Sequence, residues 1–401
     1  MTGPLAGLRV LDLGTRIAAP FCAGLLGEQG AEVIKIEQPG SGDFMREIGP
    51  FVDTPEGPYS LFWAVEGRGR TSVTIDLRQA RGQELVRSLA ARSDVLCENF
   101  RPGTMERWNL APGALDSRLV TVRISAFGQD GPNAHRPGLD RLGIGYGGLL
   151  HLTGEPDRPP VRPGVTTSDY LTGVFAAQAA TAALYRRDAG PNATGVGAVI
   201  DAALYGSVLR ILEWTIAGYD RLGIVRSREG NRLATSAPLD NYPTADGTYV
   251  CLVAGSDTNF RRLCRAMGEP DLADDPRYAT LAERAARSDE INDHVAAWTL
   301  RHSAAEIEVA AIAQDVPVAT AYTAADISVD AHMTARGDLI GIADPVAGTI
   351  RQQAPFPRFV NEAAPVPSGA PRLGEHTREV LGELLGLSSS ALDTLADDGV
   401  I

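Results

Sequence analysis

The chain has 401 residues, 44% hydrophobic and 22% charged, a balance expected of a soluble globular protein of two or three domains. Its net charge of -13 speaks against a nucleic-acid binder, which needs a basic footprint, but leaves room for an anionic ligand held by a few placed arginines. The start, MTGPLAGLRV, has no charged and apolar leader, and no run approaches the roughly 18 apolar residues of a membrane span. The four cysteines form no C-x-x-C pair, so the expectation is a cytoplasmic protein with reduced thiols, no membrane contact and no structural metal.

Taken in chain order, apolar runs predict strands at Arg9–Leu13, Glu32–Glu37, Thr71–Leu77, Asp94–Asn99 and Leu119–Ser125. Helical periodicity lies between some of them, at Ala18–Gly30 and Ala80–Arg92, with Pro20 well placed in a first turn. Strand–helix alternation with continuous apolar strands predicts a largely parallel sheet covered on both faces, an α/β fold. After Asp169 the stretch SDYLTGVFAAQAATAALYRR reads as an alanine-rich helix. Asp201–Leu222 reads as a further long helix. Beyond it the pattern changes to a strand at Tyr249–Val253 and helices at Asn259–Met267, Leu281–Thr299 and Ala304–Gln314. Asn361–Pro371 has linker composition, and Thr377–Leu385 and Ser389–Leu395 look helical. The resulting division is a large α/β domain over 1–224, a small α+β domain over 225–330, and a C-terminal segment over 331–401.

Several patterns carry less than they suggest. Gly143–Gly148 (GIGYGG) contains G-x-G-x-x-G with an acid, Asp169, about twenty residues on, but the preceding PGLDRL is no strand, so a dinucleotide site is a poor fit. The six histidines show no metal spacing, and there is no P-loop or G-x-S-x-G elbow. Arg68 and Arg70 in GRGR read as a solvated turn or a phosphate loop. Arg101 and Arg107 follow the Asp94–Asn99 strand, at the edge where parallel sheets bind ligands. Asp169 sits where a helix N-cap belongs, beside Thr167 and Ser168, and the local pattern leaves cap and catalyst both open.

Together, LAGLRVLDLGTRIAAPFCAGLLGEQGAEVIKIEQ, GRGRTSVTIDL, SDVLCENFRPGTMERW, FGQDGPNAHRPGLDRLGIGYGG, SDYLTGVFAAQAATAALYRR and LGEHTREVLGELLGL resemble the class III CoA-transferases (CaiB/BaiF type), nearly end to end. That family includes formyl-CoA transferase, carnitine CoA-transferase and α-methylacyl-CoA racemase. The resemblance implies a Rossmann-like large domain, a smaller inserted domain, and an interlocked homodimer. It implies CoA transfer between an acyl-CoA thioester and a free carboxylic acid, with no permanently bound cofactor. The catalytic aspartate falls on Asp169. CoA-contacting positions fall on Ile17, Ala18, Gln38, Ile75, Asn99, Phe100, Arg101 and Arg107. Some members carry Arg at the position of Gln38, so Arg68 or Arg70 is expected to serve the phosphates instead. A carboxylate with an ordinary pKa near ~4 is ionised at pH 7 and attacks without a base, giving covalent aspartyl intermediates. N–H groups at the start of the Asp169 helix or in the Gly143–Gly148 loop are expected to hold the oxyanion. Racemases of the family use a His in an H-D motif. Here the pair is Leu139-Asp140, and leucine accepts no proton, which favours the transferase over the racemase or a CoA-binding protein without turnover.

Overall fold

The computed structural model describes residues 2–361 and 366–401. Its strands are β1 (Arg9–Asp12), β2 (Glu32–Glu37), β3 (Phe51–Thr54), β4 (Gly57–Ser60), β5 (Thr71–Thr74), β6 (Val95–Glu98), β7 (Val120–Ser125) and β8 (Ala198–Ala203). Six of them form one parallel sheet in the order β5-β2-β1-β6-β7-β8, and β3–β4 is a separate hairpin. The helices that bear on the site are α1 (Ala18–Glu28), α2 (Leu61–Glu66), α3 (Ala80–Ala90), the one-turn α4 (Thr104–Arg107), α5 (Asp140–Tyr146), the one-turn α6 (Leu149–Leu152), α7 (Thr167–Asp188) and α8 (Leu204–Arg210).

Side chains alternate between two cores, as strand geometry requires. Val10, Val33, Val95 and Val122 face α1 and α7, whose Ala19, Cys22, Ala176 and Ala180 allow close approach. Leu11, Ile34, Ile36, Val73 and Leu96 face α3 and the C-terminal helices Thr377–Leu385 and Ser389–Asp397. The tail is tied to the sheet by Asp76 N donating to Val400 O (2.8 Å) and His376 N to Ser72 O (3.0 Å).

The chain forms two compact units. One comprises residues 1–149, 163–216 and 332–401. The other comprises 150–162 and 217–331. The second unit holds an antiparallel sheet of β9 (Leu239–Pro243), β10 (Tyr249–Val253) and β11 (Val318–Thr320), with Tyr242, Val250, Phe260, Ile291 and Ile307 at its core. In the first unit, β12 (Leu339–Asp344) and β13 (Gly348–Gln353) pair antiparallel.

The long helix expected at Asp201–Leu222 is not formed. Its first residues belong to β8, the edge strand paired in register with β7, and only then does α8 begin. An alanine-rich local sequence suits a helix, but here pairing to the sheet overrides propensity. GIGYGG is not a loop either. It lies in α5 and the turn after it, where Gly143 and Gly147 are packing residues: a Cβ on Gly143 would stand 2.6 Å from Ser168 Oγ, and one on Gly147 would stand 2.7 Å from Val208. Residues 362–365 of the linker-like stretch lie outside the described residues.

Candidate active site

The strand order reverses between β1 and β6, which makes their C-terminal ends the switch point where ligands bind in open α/β sheets. Two loops meet there. After β1, Asp12 Oδ1 accepts from Gly14 N (2.9 Å) and turns the chain. Gly14 is required by close approach, since a Cβ would lie 2.7 Å from that of Ala19. After β6, Asn99 grips the first loop from both sides: Thr15 N donates to its Oδ1 (2.8 Å) and its Nδ2 donates to Thr15 O (2.7 Å).

Beneath the first loop lies a buried charge network. Lys35 Nζ sits 3.0 Å from Asp43 Oδ2 and 3.5 Å from Asp12 Oδ2, and it donates to Gly14 O. Asp43 Oδ1 accepts from Met45 N (2.9 Å) and from Arg16 N (3.1 Å). Arg16 is thereby held at φ 65°, a left-handed conformation that few non-glycine residues adopt. Its guanidinium carbon lies 4.0 Å from the centre of the Phe44 ring.

Opposite is the first turn of α7. Asp169 is not the N-cap: Thr166 holds that position and makes no side-chain cap bond. The cap comes from 28 residues away. Asp140 Oδ1 accepts from Ser168 N (2.6 Å), Ser168 Oγ (3.0 Å) and Asp169 N (3.3 Å). Gly173, one turn on from Asp169, brings α7 against α1, where a Cβ would meet Ala18 O at 3.1 Å and Phe21 at 2.9 Å. Tyr170 fixes the same turn by donating to Glu66 Oε1 (2.7 Å) and packing edge-on to Phe21.

Asp169 is half-buried, and its carboxylate accepts no hydrogen bond among the described residues. Burial, then the neighbouring Asp140 charge, push its pKa up to about 7, with Arg16 pulling the other way. This corrects one expectation and narrows another. The carboxyl is not fully ionised at neutral pH, because desolvation and a second carboxylate outweigh the pull of Arg16. The N–H groups of Ser168 and Asp169 already bond Asp140, and those of Gly143, Gly147 and Gly148 bond carbonyls within or beside α5, so none of them is open to an oxyanion.

The other positions from the sequence lie along the C-terminal ends of β5, β2, β1 and β6, with different exposures. Asn99 and Phe100 are half-buried, with Phe100 N donating to Glu98 Oε2 (2.7 Å) and its ring edge-on to Trp108. Arg101 is exposed. Arg107 is exposed and donates to Thr104 Oγ1 (2.9 Å). Ile17, Ala18 and Ile75 turn their side chains into the cores, so they present main chain to the edge. Gln38 is half-buried at the end of β2. With its amide oxygen toward Arg78, it accepts from Arg78 Nη2 (2.8 Å) and donates to Asp76 Oδ1 (3.2 Å).

Arg68 and Arg70 do not fit the role expected of them. Arg68 binds Glu28 Oε1 (2.5 Å), Gln352 Oε1 (3.1 Å) and Gln353 O (2.7 Å); Arg70 is buried against Asp12 and Pro20 O. Both join elements of the fold. The exposed cation beside Gln38 is Arg78, which the sequence reading missed; its place one turn after the Thr71–Thr74 strand was the available signal. Asp140 and Arg16 were missed as well. No cluster of metal-ligating side chains occurs among the described residues, and no helix there is long and apolar enough to cross a membrane.

Comparison with known proteins agrees with this architecture. The pattern of CoA-transferase family III matches residues 5–377. A succinyl-CoA–D-citramalate CoA-transferase from Chloroflexus aurantiacus is 42% identical over 99% of this chain and 98% of its own. The beta subunit of a succinyl-CoA–L-malate CoA-transferase from the same organism is 39% identical over 100% and 98%. The crystal structure of a CaiB/BaiF family protein from Brucella suis superposes with a TM-score of 0.85 at 32% identity, covering 96% of this chain and 100% of that one. The chain belongs to CoA-transferase family III, and it is an enzyme that moves coenzyme A from an acyl-CoA thioester to a free carboxylic acid.

Proposed function

We propose that Asp169 is the nucleophile of this transfer and carries the acyl group and then CoA in turn. The observation that carries the reading is a carboxylate without a hydrogen-bond partner among the described residues, held by a trans-capped helix turn beside the switch point. Once deprotonated, Asp169 attacks the thioester carbonyl; the C–S bond breaks, leaving a mixed anhydride and CoA thiolate. The thiolate attacks the aspartyl carbonyl, giving an aspartyl-CoA thioester and releasing the donor acid. An acceptor carboxylate attacks that thioester to form a second anhydride and thiolate. The thiolate then takes the acceptor acyl group and returns Asp169 as carboxylate. The acyl activation is conserved, so the cycle uses neither ATP nor metal, and CoA is a substrate rather than a resident cofactor.

CoA lies over the switch point in this reading. Ile17, Ala18 and Ile75 offer main chain, Asn99 and Phe100 line the crevice, and Arg101 and Arg107 meet phosphates. Arg78, beside Gln38, supplies the charge that Gln38 lacks. The large α/β domain, the inserted small domain and the returning C-terminal segment act as one homodimeric enzyme. Val174, Phe175 and Tyr185 leave an apolar face of α7 exposed, which suits a second copy of the chain. A cytoplasmic setting suits Cys22 and Cys97, which are free thiols with Cys97 Sγ donating to Cys22 Sγ (3.9 Å).

The relatives' names make dicarboxylic acids the first acceptors to test. Transfer from succinyl-CoA to a panel of acids, run in deuterated water, tests the reading against the racemase. Acid-dependent CoA transfer without α-deuteration is expected. Rapid α-deuteration of a 2-methylacyl-CoA without transfer would overturn the transferase mechanism.

A further inference from the structure

Asp169 and Asp140 place two carboxylates at the mouth of the site, so any acid that arrives with a second negative charge meets repulsion there. A cation acts on the same carboxylate. Arg16 lies two residues before Ala18, whose carbonyl packs against Gly173 one turn from Asp169, and its charge is felt at Asp169. The loop that carries it is fixed by Asn99 and Asp43, and its backbone is kept left-handed. Among the described residues the guanidinium has no carboxylate partner, unlike Arg46, Arg68, Arg70 and Arg123, which are all paired. Its contact is the Phe44 ring, 4.0 Å away. Stacking uses the face of a guanidinium and leaves the N–H edge free, the geometry that accepts a carboxylate through two parallel bonds.

We propose that Arg16 is the specificity residue of this site, taking the second carboxylate of a dicarboxylic acid whose first carboxylate exchanges CoA at Asp169. The proposal rests on the Asp169 reading above. It explains why a loop stores backbone strain at a residue whose side chain the fold does not otherwise use. The competing role is a contact to a CoA phosphate, which would act on every substrate alike.

Glutarate and pentanoate differ in a terminal carboxylate against a methyl group. The two acids compete for CoA from succinyl-CoA, so any effect on the donor cancels in the ratio of their kcat/KM values. Asparagine tolerates positive φ, so Arg16→Asn removes the cation without adding backbone strain, and Arg16→Lys keeps the charge without the fork. In Arg16→Asn the glutarate-to-pentanoate ratio is expected to fall by about 100-fold, and in Arg16→Lys by about tenfold or less. Calorimetry with free CoA supplies the second readout, and its Kd should stay within about threefold of wild type. A ratio unchanged in Arg16→Asn, a wild type that prefers pentanoate, or a Kd for CoA weakened about tenfold or more would each overturn the proposal. If wild type forms no acyl or CoA adduct at Asp169, the underlying reading falls and takes this one with it; an adduct with an unchanged ratio overturns this one alone.

Discussion

Two sets of charged residues share the C-terminal edge of the parallel sheet, and they differ in whether their charges already have partners. Asp12, Lys35, Asp43 and Arg70 are buried and mutually paired, and buried Glu37 pairs with half-buried Arg46. Arg16, Arg101 and Asp169 form no ion pair among the described residues, and Arg107 bonds only a hydroxyl of its own turn. The first set shapes the loop between β1 and α1; the second faces the space that the loop borders. An arginine in a glycine-flanked motif therefore says little about phosphate until its partners are known. Arg68 and Arg70 looked like phosphate ligands and hold the fold together, while Arg16, which drew no notice, stands open, and Arg78 is exposed but paired with Asp76.

The contrast breaks most visibly in the paired set. Lys35→Met leaves Asp43 buried without its cation and Asp12 with Arg70 alone, and the expected loss is about 3–5 kcal/mol of stability. Chemical denaturation would read it as a lower midpoint, and a loss below about 1 kcal/mol would mean the network does not hold the loop. In the open set, Arg107→Ala should leave the midpoint within about 0.5 kcal/mol, because its side chain is exposed, while weakening CoA binding about tenfold. An unchanged Kd would remove Arg107 from the site.

The effect that depends on pH concerns Asp169 itself. Its folded pKa, about 7, lies above the ordinary carboxylate value of 3.8, so between those pH values the native state holds a proton that the unfolded chain does not. The favourable term is present at low pH and fades as pH rises through 7. Asp169→Asn is free of that loss. Its Tm should match wild type at pH 4 and exceed it by roughly 5 °C at pH 8. The same difference at both values would show that burial and Asp140 do not perturb the group.

Much of this frame was legible in the sequence, for local reasons. The strands Glu32–Glu37 and Leu119–Ser125 announce themselves as apolar β-branched runs, and the tail helix Thr377–Leu385 has clear periodicity. What escaped depends on distant partners. β8 is a strand because β7 lies beside it, though its alanines read as helix. Asp140 caps α7 across 28 residues, a link no local pattern records. Asp169 was visible as the residue to watch, but not its raised pKa, which comes from Asp140 and from burial.

The central claim is that Asp169 bonds covalently to its substrates. Wild-type protein mixed with an acyl-CoA, quenched and digested, should yield a peptide carrying Asp169 as an acyl anhydride or CoA thioester; hydroxylamine should convert it to the hydroxamate in mass spectra. Asp169→Asn, freshly prepared to avoid deamidation, should give no such peptide, still bind CoA, and lose transfer by at least about 1,000-fold. An Asn variant that turns over near the wild-type rate, or an adduct mapped to another residue, would contradict the account.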